Sequence, residues 1–486
     1  MKRFISGLIA ATLLLTINGC NDFLDLQPIS QGIAISNTNA DSILYKTPAQ
    51  VEAALAGAYA DFRNEYFSLD YYVNGDAQSD DAYAGADNPM NFQIDEYNID
   101  ATNTNVSRDW AYLYSTIGKA NSVYNNVDKV PGLAEDRKLE IKAEAAWIRA
   151  FMYFQAVQLW GAVPLQLKEV TTVSIELLPE IYPIMFPARA PVDSVYAQII
   201  KDFELARNHA RQSAPHKGFA TRGAANAMLA KVYATMQPPQ WDKVLQYTNE
   251  VIAGGYSLLP DYEMLWNNEH ENSAESIFEI NYEGTPSSGN WGTTMFRGLD
   301  WKKFNTPSND LVAAFDAEND IIRKNASIIF LDVSGRWSDP YWPQTDYPFV
   351  NKWRNFTMPS PQNFILLRLA DILLLKAEAL NAQGDVQGAA AIVNQIRARV
   401  NLPPTTANNQ AAMKLAIEKE RRLELAFEGH RWYDLKRTGR AIEVINNVRG
   451  PNNAPLNYNL TPNKLLWPIP QREIDNNTKL TQNPGY

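Results

Sequence analysis

The chain has 486 residues, of which 45% are hydrophobic and 20% are charged, so it can bury a large core and is not a disordered or fibrous polymer. Its formal net charge is -10, and its lysines and arginines are scattered along the sequence instead of forming a basic stripe. This distribution argues against a nucleic acid as partner, because phosphate backbones are bound by clustered cations. A neutral ligand or a protein surface fits the acidic exterior better.

The N-terminus has the layout of a bacterial lipoprotein signal. Lys2 and Arg3 precede an apolar run that ends at Ile17 and is too short to cross a bilayer. The run leads to Cys20, the only cysteine of the chain. We expect residues 1–19 to be removed as a signal peptide and Cys20 to carry the lipid, since several acyl chains on one residue anchor a protein stably. Ordinary cleavage that leaves a free thiol fits the position of this cysteine less well.

A polar tether and three helices are predicted next. Residues 20–46 lack a helical period and are expected to connect the lipid to the body as a mobile segment. Thr47 begins a capping box with Pro48 at the first helical position, which predicts the start of a helix. Apolar residues at spacings of three and four predict a second helix around 110–124 and a longer one over 140–160.

Two later segments, 224–252 and 372–399, each indicate a helix, a short turn and a return helix. Small residues at the crossing points let the two helices approach closely, and the pattern resembles that of tetratricopeptide units. The two turns lie much farther apart than the ~34-residue tetratricopeptide period, which excludes a regular solenoid. We expect residues 191–206 to supply the return helix for 140–160.

Two irregular stretches interrupt the helices and are where we expect the function to lie. Residues 256–361 hold six of the twelve tryptophans, set among Gly, Ser, Thr, Asn and Pro, and residues 71–105 are acidic and bear tyrosines. Flat indole faces can stack on the C–H surfaces of sugars, although such tryptophans can also form a small packed core of their own. The candidate ligand-binding residues are Trp291, Trp301, Trp337, Trp342, Asp80, Asp81 and Tyr83.

The local sequence supports two of these candidates in particular. Trp291 stands beside glycines, which cannot cover an indole from the sides, so we expect its ring to present a face. Trp342 stands between Tyr341 and Pro343, a rigid arrangement with a low ordering cost on binding.

Sequence signatures of catalysis are missing, so we expect no catalytic residue, metal or cofactor. His209, His216, His270 and His430 lie far apart, and neither an H-E-x-x-H motif, a G-x-S-x-G elbow nor a phosphate-binding loop occurs. Two alternatives to a ligand-binding protein stay open at this point. A glycoside hydrolase needs only two carboxylates at a suitable separation, and a helical scaffold that binds only proteins would share every helical feature.

Blocks along nearly the whole chain, in order, resemble the SusD/RagB family. The C-terminal third matches best, with ERRLEL at 420–425 and EGHRWYDL at 428–435. Within it, we interpret Glu420, Arg422 and Glu428 as helix-borne members of ion pairs that pin neighbouring helices, not as catalytic groups. The matching blocks are 22–25, 108–121, 144–151, 161–165, 220–233, 368–379, 420–425, 428–435 and 466–486.

The resemblance implies a mainly α-helical, non-enzymatic body over 47–486, built on four tetratricopeptide pairs. Residues 47–255 and 362–486 would form the helical scaffold, and the insertion of about 256–361 would form the binding face. It also implies an outer-membrane lipoprotein, exposed at the cell surface. Such a protein would capture an oligosaccharide or a peptide and deliver it to a SusC-like TonB-dependent transporter.

Overall fold

The computed structural model describes residues 43–85, 88–170, 175–297 and 303–486. The predicted signal peptide, Cys20, most of the predicted tether and Trp301 lie outside these ranges. Helices dominate the described chain and strands are few and short, which confirms the mainly α-helical prediction. No helix in these four ranges combines the length and the apolar character that a membrane span requires.

The helices are numbered here in chain order. They are α1 (Pro48–Ala60), α2 (Pro89–Asp95), α3 (Thr104–Asn126), α4 (Glu135–Trp160), α5 (Leu178–Met185), α6 (Val192–His209), α7 (Arg222–Thr235), α8 (Trp241–Ala253), α9 (Gly292–Phe296), α10 (Asn309–Glu318), α11 (Ile321–Ser327), α12 (Leu369–Ala382), α13 (Val386–Arg399), α14 (Gln410–Glu424), α15 (Arg431–Arg437), α16 (Ala441–Ile445) and α17 (Gln471–Asn476).

The strands form four separate antiparallel pairs, β1 with β5, β2 with β3, β4 with β8 and β6 with β7. Their bounds are β1 (Ala82–Tyr83), β2 (Val163–Pro164), β3 (Arg189–Ala190), β4 (Ser276–Ile280), β5 (Thr306–Pro307), β6 (Ile328–Leu331), β7 (Tyr347–Val350) and β8 (Phe364–Arg368).

The predicted helix pairs and the N-cap of the predicted capping box are present, although the Gln50 side chain accepts from the Lys46 amide and not from that of Thr47. The side chain of Thr47 accepts a hydrogen bond from the Gln50 amide, and Pro48 is the first residue of α1. Helix α4 packs along α6, α7 along α8, and α12 along α13, as the apolar and small-residue patterns predicted. Just before α1, the Tyr45 hydroxyl lies 2.9 Å from Ser122 Oγ on α3, so the end of the predicted tether joins the body there.

The insertion is fixed to the scaffold by strand pairing and by shared core. β4 of the insertion pairs with β8, which leads directly into α12. Trp266 and Trp353 are each 1% exposed and their ring centroids lie 6.1 Å apart within the main hydrophobic core. Two of the six tryptophans of the insertion therefore stabilise its attachment and are unavailable to a ligand.

Buried ion pairs also join the insertion to the C-terminal helices. Glu428 accepts hydrogen bonds from Arg368 at 2.7 and 2.8 Å and from Lys352 at 2.6 Å. Glu420 on α14 accepts one from Arg323 on α11 at 2.7 Å. All five side chains are at most 1% exposed, and such charges are tolerated inside a protein only when they are paired. These contacts agree with a structural role for both glutamates. Glu420 is helix-borne as predicted, whereas the same prediction is wrong for Glu428, which lies in the turn between α14 and α15.

Candidate ligand-binding site

The loop between β6 and β7, together with β1, brings five aromatic side chains together. Trp337, Tyr341 and Trp342 lie in the loop, and Tyr347 begins β7. β1 pairs with β5, and this pairing places Tyr83 beside the loop. We call these five residues the aromatic cluster. Three of the predicted site residues, Tyr83, Trp337 and Trp342, thus belong to one region.

Asp339 lies at the centre of the aromatic cluster. Its Oδ1 accepts a hydrogen bond from the Tyr83 hydroxyl at 2.8 Å and another from the Tyr341 amide at 2.8 Å. The Tyr347 hydroxyl donates to its Oδ2 at 3.3 Å. The rings of Tyr83 and Tyr341 meet edge to face, with centroids 4.7 Å apart. Asp339 therefore fixes the orientation of three tyrosines around a single carboxylate.

Trp337 and Trp342 cover a small core and remain half-buried. That core consists of Val333, Tyr347 and Phe349, each at most 2% exposed. The Trp337 ring meets Tyr347 edge to face at 4.4 Å between centroids. The indole N–H of Trp342 donates to a main-chain oxygen of β5 at 3.0 Å. Both proposed roles of these tryptophans, core and platform, are therefore compatible with the structure, because each ring is only partly covered.

Two further features of the cluster bear on its chemistry. The ammonium group of Lys303 lies over the Trp337 ring, 4.3 Å from its centroid. The indole nitrogen of Trp337 is buried and has no hydrogen-bond partner among the described residues. The site thus combines partly exposed aromatic rings with a cationic donor, an unpaired N–H group and a carboxylate.

Burial controls the protonation of the tyrosines beneath the surface. Desolvation raises the pKa of the Tyr83 phenol well above its ordinary value, and the neighbouring Tyr347 and the Asp339 charge raise it further. Desolvation likewise raises the pKa of Tyr347. Both hydroxyls therefore keep their protons at physiological pH and donate to Asp339. In the four described ranges, no group of three or more His, Cys, Asp or Glu side chains is placed to hold a metal ion.

Asp80 and Asp81, predicted to form a polar wall at the site, lie in the protein interior. Asp80 is 2% exposed and accepts hydrogen bonds from Arg431 at 2.7 and 2.8 Å. Asp81 is fully buried and accepts one from Arg422 at 2.7 Å. These bonds tie the segment before β1 to α14 and α15. The two carboxylates are directed at guanidinium groups, so their contribution is to hold β1, and with it Tyr83, in position.

Trp291 is placed apart from the aromatic cluster and packs partly against the main core. Its flanking glycines have a different role from the one expected from the sequence. A Cβ atom on Gly292 would lie 1.9 Å from Ser68 O, and one on Gly289 would lie 2.0 Å from a carbon of Pro359. Glycine is required here because two segments approach closely, so these residues do not by themselves expose the Trp291 ring.

Sequence reasoning missed Asp339, Tyr341 as a cluster member, and Lys303. A signal for the first two was present, because Asp339-Pro340-Tyr341 is a turn sequence placed between two tryptophans. No local signal marks Lys303. It lies just before β5 and meets the Trp337 ring through the tertiary fold, 34 positions earlier in the chain.

Comparisons with known proteins decide the family. A model described as SusD family matches residues 332–486, and one described as starch-binding associating with outer membrane matches residues 22–234. The chain belongs to the SusD/RagB family. The two matches include most of the first part of the helical scaffold, all of the second part and the loop of the aromatic cluster.

Among its relatives, the SusD-like protein P25 of Formosa agariphila is 27% identical, and the match covers 96% of each chain. The starch-binding protein SusD of Bacteroides thetaiotaomicron is 24% identical over 78% of each chain. A solved laminarin-binding SusD-like protein is 27% identical and superposes with a TM-score of 0.73, covering 91% of this chain and 100% of that one.

Proposed function

We propose that this SusD/RagB protein is a lipid-anchored, non-enzymatic binding protein of the outer membrane. It captures an oligosaccharide at the aromatic cluster and delivers it to a SusC-like TonB-dependent transporter. The observation that carries the proposal is the grouping of half-buried Trp337, Tyr341 and Trp342 around Asp339 in one loop of the insertion.

The chemistry of the cluster suits an uncharged sugar. Aromatic rings offer surfaces on which the C–H faces of a pyranose can stack. The indole N–H of Trp337, which has no partner among the described residues, would be satisfied by an oxygen of a ligand. The Tyr83–Asp339 hydrogen bond holds the platform rigid before binding, which lowers the ordering cost.

The relatives support the same class of ligand. One is named for laminarin binding and another for starch binding, and the matching family model is described as starch-binding. We therefore place neutral glucans ahead of peptides as ligands of this chain. A purely protein-binding scaffold would not need the half-buried tryptophans, and this feature separates the two interpretations.

A calorimetric panel tests the proposal. The full chain, purified in detergent, is titrated with laminari-, malto-, xylogluco- and manno-oligosaccharides, and each mixture is afterwards analysed for cleavage products. Saturable binding of one class without cleavage is expected. Binding of none of these sugars, or release of shorter products, would contradict the proposal in favour of a scaffold or a glycoside hydrolase respectively.

The membrane anchor is tested separately. Replacing Cys20 by Ala should release the protein from the outer membrane, because Cys20 is the only cysteine and directly follows the apolar N-terminal run. Membrane fractionation in cells that lack the transporter measures this. A variant that still partitions fully with the membrane and keeps its surface exposure would refute the assignment of the lipid to Cys20.

A further inference from the structure

A cavity of about 540 Å³ lies in the helical scaffold, at a place that the proposed function does not use. It is bounded by the turn that joins α7 to α8 and by parts of α12, α14 and α15. No residue of the aromatic cluster lines it. Its volume lies within the range of small-molecule sites, roughly 300 to 1,000 Å³.

One side of this cavity is formed by an aromatic ring, and small side chains line the cavity near it. Trp241, the first residue of α8, is half-buried and lines the cavity together with Pro239. Ala382 and Ala411 also line the cavity, and their short side chains leave room for a ring against the indole.

A buried amide supplies the second, independent indication of a ligand. Asn381 lines the cavity and is only 5% exposed. Its Nδ2 donates to Gln410 O at 3.0 Å, but its Oδ1 is buried and accepts no hydrogen bond among the described residues. A buried acceptor without a donor is unfavourable, and a bound group that donates would remove the penalty.

Two exposed glutamines that line the cavity also use their amide donors within the protein. The Nε2 of Gln410 donates to Asn381 O at 2.7 Å, and the Nε2 of Gln237 donates to Arg437 O at 2.8 Å. Both side chains are exposed, so their amide oxygens are open to solvent or to a ligand. The wall therefore uses its amide donors internally and leaves acceptors for a ligand, which must bring donors of its own.

The three guanidinium groups of the wall are paired with carboxylates, and Lys414, which also lines the cavity, is exposed to solvent. Arg437 pairs with Glu378 at 2.6 Å and with Asp434 at 2.7 Å, and Arg421 pairs with Asp434 at 3.0 Å. A ligand therefore needs no net charge to bind. An aromatic wall, available acceptors and paired arginines together match a polyhydroxylated, uncharged molecule.

We infer that this cavity is a second binding site, for a neutral sugar whose ring stacks on Trp241 and whose hydroxyl groups donate to Asn381 and Gln410. The site is separate from the aromatic cluster, so its occupancy does not require that the cluster bind the same ligand. A short uncharged peptide is the main rival occupant, since its N–H groups could also donate.

Fluorine NMR on the full chain, labelled with 5-fluorotryptophan and purified in detergent, tests the inference. The Trp241 signal is assigned by its loss in Trp241→Phe. The sugars are titrated one at a time up to roughly 50 mM, so that binding with a dissociation constant in the millimolar range is detected. They are glucose, galactose, mannose, xylose and laminaribiose. Tri-alanine serves as the peptide probe. At least one sugar should shift the Trp241 signal saturably, and tri-alanine should not.

Two variants at the cavity and one outside it make the result specific. Asn381→Ala should raise the half-saturating concentration about fivefold, because one uncharged hydrogen bond is lost. Ala411→Trp fills the cavity from an exposed helix position and should abolish the shift. Trp337→Ala should leave the shift unchanged, which separates this site from the aromatic cluster.

Three results would overturn the inference. These are a Trp241 signal that no sugar shifts saturably, a saturable shift with tri-alanine alone, and a sugar-induced shift that persists in Ala411→Trp. Melting temperatures of all variants are measured alongside. Because Ala411→Trp removes no contact of the core, it keeps the test valid even if Asn381→Ala is destabilised.

Discussion

Asp80 and Asp81 are neighbours in the sequence and both are buried, yet their neutralisation should affect stability in opposite directions. Burial opposes the ionisation of Asp80, but Arg422 and Arg431 outweigh it and lower the pKa of this carboxyl to about 2. For Asp81, burial is again the largest effect, and with the Asp80 charge it exceeds the attraction of Arg422, so that the pKa rises to about 6. One oxygen of Asp81 also has no hydrogen-bond partner among the described residues.

These pKa values set the size of the expected effects. A difference of one in pKa corresponds to about 1.4 kcal/mol. Relative to an ordinary value of 3.8, ionised Asp80 stabilises the fold by roughly 2–3 kcal/mol at pH 7, and this stabilisation is lost as the pH falls through 2. Asp81 stabilises the fold only as the neutral acid, and its contribution of roughly 3 kcal/mol is lost as the pH rises from about 4 through 6.

Asp80→Asn should therefore lower the free energy of unfolding at pH 7 by about 2–3 kcal/mol. Asp81→Asn should leave it within about 1 kcal/mol or raise it, because the neutral amide avoids the cost of burying the charge that Asp81 carries at pH 7. Urea denaturation followed by tryptophan fluorescence and by circular dichroism measures both values.

Two outcomes would refute this reasoning. Equal destabilisation by the two substitutions, or a larger loss for Asp81→Asn, would show that the balance of burial and ion pairing is wrong. If either variant kept its stability and lost affinity for the oligosaccharide, the aspartates would form the polar wall that the sequence suggested.

The remaining predictions concern pH and close packing. Burial, with Lys231 nearby, lowers the pKa of His430 to about 4, whereas the ordinary pKa of the side chain in the unfolded chain is 6.5. Between these two pH values the imidazole is neutral in the folded chain and protonated in the unfolded chain. The parent should consequently lose about 2 kcal/mol of stability between pH 7 and 5 through this group, and His430→Gln should lose correspondingly less in thermal melts at the two pH values. An equal loss in both proteins would contradict the burial of a neutral imidazole. Gly292→Ala should cost about 1–3 kcal/mol because its Cβ would lie 1.9 Å from Ser68 O. Gly57→Ala is the matched control, with nothing within 4 Å, and should be neutral or stabilising, so similar melting temperatures for the two variants would count against the packing argument.

The helical scaffold could be predicted from the sequence because its signals are local. Apolar spacing located the helix that the structure places at Glu135–Trp160, and the capping box located the start of α1. Small residues at the crossing points indicated the α7–α8 and α12–α13 pairs, where close approach depends on side-chain size alone.

The site could be predicted only in part, because its geometry depends on contacts between distant residues. Asp81 meets Arg422, which lies 341 positions later, and no local pattern reveals that pairing. The sequence therefore gave no indication that an acidic pair in a turn-rich stretch is internal. The role of Gly292 was missed for the same reason, since it depends on the close approach of Ser68 from another segment.

The most direct test of the central claim is to measure how tightly Trp337→Ala binds an oligosaccharide, namely the one for which the parent has the highest affinity. Trp291→Ala is the matched control. Both rings are half-buried, but only Trp337 belongs to the aromatic cluster. Loss of one stacking platform should weaken binding about tenfold in Trp337→Ala, whereas Trp291→Ala should bind within about twofold of the parent. A Trp337→Ala variant with the melting temperature and the affinity of the parent would contradict the assignment of the ligand to the aromatic cluster.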